Sequence, residues 1–62
     1  PGTESEIGAI SNMGVCLEGL GRWRDAVGLY DEVITLYENK KATREAFQFA
    51  KAHRDWIVST RL

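Results

Sequence analysis

Few side chains in this 62-residue chain are of the types that do chemistry, and those few stand apart. Cys16 is the only cysteine and His53 the only histidine. A structural zinc needs four ligands, which one of each cannot supply. A single cysteine also excludes an internal disulfide. His53 has no partner in its own stretch that would make it a base or a metal ligand. The adjacent acids Asp31 and Glu32 fall on the hydrophilic side of an amphipathic segment and read as solvated surface. With no nucleophile–base pair, no phosphate-cradling loop and no metal set, the sequence predicts no enzyme and no cofactor. What remains are groups suited to recognition. Gly8, Asn12, Val15 and Gly19 recur at spacings of four, three and four, with Ser11 beside them. On a helix that pattern makes a shallow stripe of small residues that another helix can approach closely.

Composition narrows the setting for such a surface. Apolar residues make up 44% and charged residues 27%, the balance of an ordinary globular protein. No apolar run approaches the ~20 residues of a spanning helix. A chain of this length forms one domain at most, spanning 1–62, and buries only ~60% of its unfolded surface, so added stability is expected from self-association or from further chain. Pro1 in place of Met suggests an excised domain or a processed product. The single cysteine suits a reducing intracellular compartment. Net charge is −1, which argues against broad nucleic-acid affinity. The charge is unevenly spread. Residues 1–39 carry seven acids against Arg22 and Arg24, a balance of −5; residues 40–62 carry six bases against Glu45 and Asp55, a balance of +4.

Three helices must position these groups. Pro1 is the only proline, so nothing interrupts the chain downstream. Thr3-Glu4-Ser5-Glu6 has the form of a capping box, from which helix one is predicted to run to about Leu20. Its apolar face is read as Ile7, Ile10, Met13, Gly14, Leu17 and Leu20, and Gly19-Leu20-Gly21 ends it. Helix two is predicted from about Arg22 to Glu38. Trp23, Ala26, Val27, Leu29, Tyr30, Val33, Ile34, Leu36 and Tyr37 fill one half of its wheel; Arg24, Asp25, Gly28, Asp31, Glu32, Thr35 and Glu38 fill the other. Asn39-Lys40-Lys41 connects to helix three, predicted from about Ala42 to Ser59. There Ala42, Ala46, Phe49, Ala50, Trp56 and Ile57 form one face, which Phe47 and Val58 extend sideways towards a further repeat or a second copy. Trp23 and Tyr30 read as core, and Trp56 as an interface anchor.

The stretch Ile7–Lys40 resembles one tetratricopeptide repeat. It has the 34-residue length of that repeat. Ile10-x-x-Met13-Gly14-x-x-Leu17 stands where the family has a large residue, Leu-Gly and another large residue; Ala26-x-x-x-Tyr30 stands where it has Ala and an aromatic. Asn12-Met13-Gly14 and the run Leu20–Ile34 are similar to the family's usual text. Mid-helix Gly14 costs ~1 kcal/mol of propensity relative to Ala, so it implies a close helix crossing. Departures are few: Ile10 for Trp, Val33 for Ala and Glu38 near the usual Pro. Residues 41–62 match less well and resemble a capping helix or the first half of a truncated repeat, with Phe49-Ala50 in the Leu-Gly position. The resemblance implies an all-α fold. Residues 3–40 would form an antiparallel helical hairpin and 41–62 a third helix, together a fragment of a right-handed superhelical solenoid. It places Cys16 at a small buried position, which would make its thiol inert.

The resemblance also implies a protein–protein interaction module or scaffold. The groove face of its first helix would comprise Gly8, Ser11, Asn12, Val15, Glu18 and Gly19, with Asn12 at a position where the family often bonds a ligand backbone. Gly8 and Gly19 also suit simple packing against helix three. Few groups that would clamp a carboxylate surround this face, so a helix or another copy of the module is a better expected ligand than a peptide's C-terminal carboxylate. Partner-binding residues are expected at Gly8, Ser11, Asn12, Val15, Gly19, Phe47 and Trp56. The alternative is a self-assembling, dimerising element, since ~3 repeats are usually needed to bury a continuous core. A helix-turn-helix nucleic-acid binder using basic helix three is the third reading, disfavoured by the acidic net charge. Thr60-Arg61-Leu62 has the form of a tail that adds a strand to a PDZ domain.

Overall fold

A computed structural model describes residues 2–62, with side chains from Glu6 onward. These residues form three α-helices and no strand: α1 (Gly2–Gly19), α2 (Trp23–Glu38) and α3 (Arg44–Thr60). The fold is all-α. None of the described helices is long and apolar enough to cross a membrane.

The boundaries follow from capping chemistry. α1 begins at Gly2, so Thr3 lies inside the helix and not at its N-cap, which corrects the expected start; the Thr3 side chain lies outside the described residues. At the other end, Arg22 N–H donates to the Leu17 carbonyl at 2.9 Å and Gly21 N–H to the Glu18 carbonyl at 3.0 Å. This is a Schellman closure, and Gly21 supplies its left-handed residue at φ 75°. The end of α2 repeats the same pattern: Lys41 N–H donates to Leu36 at 2.7 Å and Lys40 N–H to Tyr37 at 2.9 Å. Here the left-handed residue is Lys40, at φ 62°, where a side chain carries a steric cost that glycine avoids. α3 starts two residues later than the apolar pattern suggested. Thr43 is its N-cap, and its Oγ1 accepts the Ala46 N–H at 3.1 Å.

α2 is the middle of the molecule. It packs against both flanking helices, whereas α1 and α3 meet each other only sparingly. The apolar half of its wheel is buried or half-buried throughout, and every residue of the polar half is exposed, as the periodicity predicted. The buried core comprises Ile7 from α1, Ala26, Tyr30 and Val33 from α2, and Ala50 and Ile57 from α3. Tyr30 is the largest of these and has no solvent exposure. Gly14 lies directly against it. A Cβ on Gly14 would stand 2.8 Å from Tyr30 Cε1, so the absent side chain is what lets α1 approach. Gly14 is thus the small residue at a close crossing that its sequence context implied.

α1 departs from expectation on its outer flank. Met13 and Leu20 are exposed, 58% and 71%, although they share the apolar period of Ile7 and Leu17. The face is wider than the surface that α2 can cover, so its edge is left bare. Cys16 is also exposed, which corrects its assignment as an inert buried thiol. Trp23 is half-buried and packs at the edge of the core.

Candidate functional site

An open groove runs between α1 and α3. Its first part, about 330 Å³, is lined by Ile7, Gly8, Ser11 and Asn12 of α1 and by Thr43, Ala46 and Phe49 across from them. The spacing explains the α1 contribution. Ile7 turns into the core, and the residues one, four and five places on lie along the groove side of the same helix. Gly8 has nothing within 4 Å of where a Cβ would be, so it opens the groove and does not serve as a packing point for α3. Asn12 is exposed and offers an amide donor and acceptor at the rim.

A second open groove, about 390 Å³, is lined by Glu18, Ala52, His53 and Trp56. Its polar wall is a three-residue network that joins all three helices. Tyr30 Oη donates to Glu18 Oε2 at 2.5 Å, and His53 Nδ1 lies 2.8 Å from the same oxygen. An ionised carboxylate only accepts, so the Nδ1 that faces it must carry the hydrogen. Nδ1 is then a donor, and its 3.4 Å approach to Tyr30 Oη is a contact between two donors to one acceptor. Phe49 stacks on the His53 ring, with centroids 4.2 Å apart at 27°, and forms the boundary between the two grooves. Burial pushes the Tyr30 phenol well above the ordinary tyrosine range; its bond to Glu18 and the Glu18 charge push it further in the same direction.

This network corrects the reading of His53 as a residue without a partner. Its partner Glu18 lies 35 residues away on another helix, and no short-range pattern reports such a pair. A carboxylate orienting an imidazole can serve a general base. Among the described residues, His53 Nδ1 bonds Glu18 and touches the Tyr30 hydroxyl, whose own hydrogen is given to Glu18. The arrangement acts as a tie between helices.

The other expected site residues divide. Gly8, Ser11 and Asn12 come together in the first groove, and Trp56 lines the second. Val15 and Gly19 are exposed on α1, on the same side as Gly8 and Asn12, but line neither groove. Phe47 is not on the groove side; it stacks on Tyr37, with centroids 4.4 Å apart at 20°, and helps close the α2–α3 seam. Val58, expected beside it as an extension of the face, is 51% exposed. Thr43, Ala46, Phe49, Ala52 and His53 were not singled out as groove residues. Phe49 could have been found from the Leu-Gly position that the family resemblance gives it.

Trp56 is 47% exposed and is held from two sides. Trp23 meets it edge-on at 6.1 Å, and the Arg61 guanidinium lies 5.1 Å from the Trp23 ring and 5.4 Å from the Trp56 ring. On the far side of α3, Arg54 bonds Asp31 of α2 and Asp55 of its own helix, both at 3.1 Å, and Lys51 meets Asp55 at 2.9 Å. The bonds to Asp31 and Asp55 push the Arg54 guanidinium up, while Lys51 and Arg54 hold the Asp55 carboxyl below the usual range. These cations are therefore spent on internal pairs. Compared with family models, curated proteins and solved structures, the chain matches none.

Proposed function

We propose that this chain is a protein–protein interaction module of tetratricopeptide type, and that it binds a helix or peptide through the groove between α1 and α3. The observation that carries this reading is the open groove beside Gly8, Ser11 and Asn12, with the exposed Asn12 amide at its rim. The 34-residue spacing of Ile7–Lys40 and the fit of Gly14 under Tyr30 support the family assignment. An apolar trough with a few convergent polar groups is the usual form of a binding site. The module would work by binding, with no catalytic step and no cofactor.

The test is a paired substitution on the two sides of α1. A peptide selected from a random display library and labelled with fluorescein is the probe. Gly8→Gln fills open groove space without touching the core, and it is expected to weaken the peptide at least tenfold. Leu20→Lys lies on the opposite flank and should leave affinity unchanged. A peptide indifferent to Gly8→Gln, or the failure of selection to yield any peptide, sinks the reading.

A second reading is a self-assembling element, and the exposure of Met13, Leu20 and Val58 favours it. Sedimentation equilibrium decides it. A mass that rises with concentration and returns to monomer in a Met13→Glu, Leu20→Glu variant supports self-assembly; a monomer at all concentrations removes it.

A further inference from the structure

Glu18 is placed to take a charge that the protein does not supply. Its side chain is 14% exposed, so the carboxylate is mostly withdrawn from water yet open to the second groove. Both of its bonds fall on Oε2, from a phenol and from an imidazole. Oε1 carries no hydrogen bond from the described residues. Among them no lysine or arginine reaches Glu18, and its one ionisable neighbour in ion-pair range is His53. With a neutral imidazole the site keeps a full negative charge. A half-buried carboxylate of this kind is stabilised most by a cation that can also hydrogen-bond to it.

Trp56 supplies the second half of such a site. Its half-exposed ring shares the groove with Glu18. The aromatic pair it forms with Trp23 already holds one guanidinium, that of Arg61, within cation–π distance of both rings. A planar guanidinium can stack on an indole and fork onto a carboxylate, which a point-charge ammonium does less well.

Phe49 lines the first groove and His53 the second, and their stacked rings make the two grooves neighbours. Ser11 in the first and Glu18 in the second are seven helical residues apart, about 10 Å. An extended peptide covers that distance in about three residues. We propose that the second groove is a cation subsite for an arginine side chain of a bound peptide, with Glu18 as its anionic partner and Trp56 as its stacking surface. The first groove then takes an apolar side chain about three residues away. This proposal rests on the reading of the α1–α3 groove as a peptide site.

Two blocked peptides provide the test: acetyl-Leu-Ala-Ala-Arg-amide and acetyl-Leu-Ala-Ala-Gln-amide. Both are titrated into the whole chain and followed by amide and indole NMR shifts. The arginine peptide is expected to bind about fivefold more tightly at low salt, with the advantage shrinking as salt is raised. In Glu18→Gln, whose amide oxygen can still accept from Tyr30, the advantage of the arginine peptide over the glutamine peptide should vanish. Circular dichroism checks that this variant keeps its helices. The salt dependence in the unaltered chain provides the test even where the variant does not fold. Equal affinities for the two peptides in the unaltered chain overturn the cation subsite and leave the groove reading standing. An arginine preference that survives in folded Glu18→Gln, or that is indifferent to salt, also overturns it. Absence of shifts in both grooves with either peptide overturns the groove reading, and the subsite with it.

Discussion

α1 presents two surfaces that could hardly differ more, although one helix makes both. On the α3 side it offers Gly8, Ser11 and Asn12, small or polar groups facing a groove whose far wall is already built. On the opposite flank it offers Met13 and Leu20, large apolar groups with nothing over them, and a shallow depression beside Leu17 and Leu29 rimmed by Arg22, Arg24 and Asp25. The first surface has shape and oriented polar atoms; the second has area. Specific recognition needs the former, while a surface of the latter kind favours burial against whatever complements it. Gly14 lies between them and seats the helix on Tyr30, so the position of α1 on that ring sets both surfaces at once.

The change that breaks the comparison outright is Tyr30→Ala. It removes the largest core side chain and the donor that holds Glu18. A loss of about 3–5 kcal/mol is expected, enough to unfold a 62-residue domain, with circular dichroism as the readout. A reversible version comes from alkali. The folded state raises the Tyr30 pKa, so the stability it contributes is fully present below the unfolded value of about 10 and is lost as pH rises beyond it. Denaturant midpoints should fall above about pH 10, and more steeply than in Tyr30→Phe.

Gly14→Ala comes next. A helix-favouring residue gains ~1 kcal/mol in propensity, but the new methyl overlaps a ring that is buried on all sides. A net loss of about 1–2 kcal/mol is expected, and groove binding should weaken with it as α1 lifts away. A stabilised variant would show that α1 does not rest on Tyr30. Lys40→Gly should instead stabilise, by about 1 kcal/mol, because it relieves a left-handed side-chain-bearing residue and touches neither surface. It supplies a more stable background in which the two surfaces can be compared. The smallest effect is expected from Leu20→Lys. At 71% exposure its stability change should stay within about 0.5 kcal/mol, while any self-association should fall.

How much of this was legible depended on how far apart the deciding residues lie. α2 was readable in full, because the 3.6-residue period of one helix carries both its buried and its exposed half. Gly14 was readable for a related reason: a glycine inside an apolar helical run is costly unless something needs the space. Met13 and Leu20 were misread because periodicity gives the width of an apolar face but not the width of the partner covering it, and Cys16 because its buried place came from the family resemblance alone. The start of α3 was misplaced because Ala42 continues the apolar pattern, whereas the Thr43 hydroxyl is what terminates the backbone ladder. The Glu18–His53 pair was invisible. Each residue was noticed separately, but only the packing of α1 and α3 on a shared α2 brings them to 2.8 Å. The groove residues of α1 were found from the family resemblance, while the α3 wall, which matches the family less well, was mostly missed.

A map of which side of α1 a bound peptide touches tests the central claim most directly. The unaltered chain is labelled with ¹⁵N and titrated with the library-selected peptide. The account predicts that the amides of Gly8, Ser11, Asn12 and Ala46 shift together and saturate with one affinity, while those of Met13 and Leu20 stay in place. Shifts gathered on Met13, Leu17 and Leu20, with Gly8 and Asn12 unmoved, would contradict it and make the bare flank the working surface of the molecule.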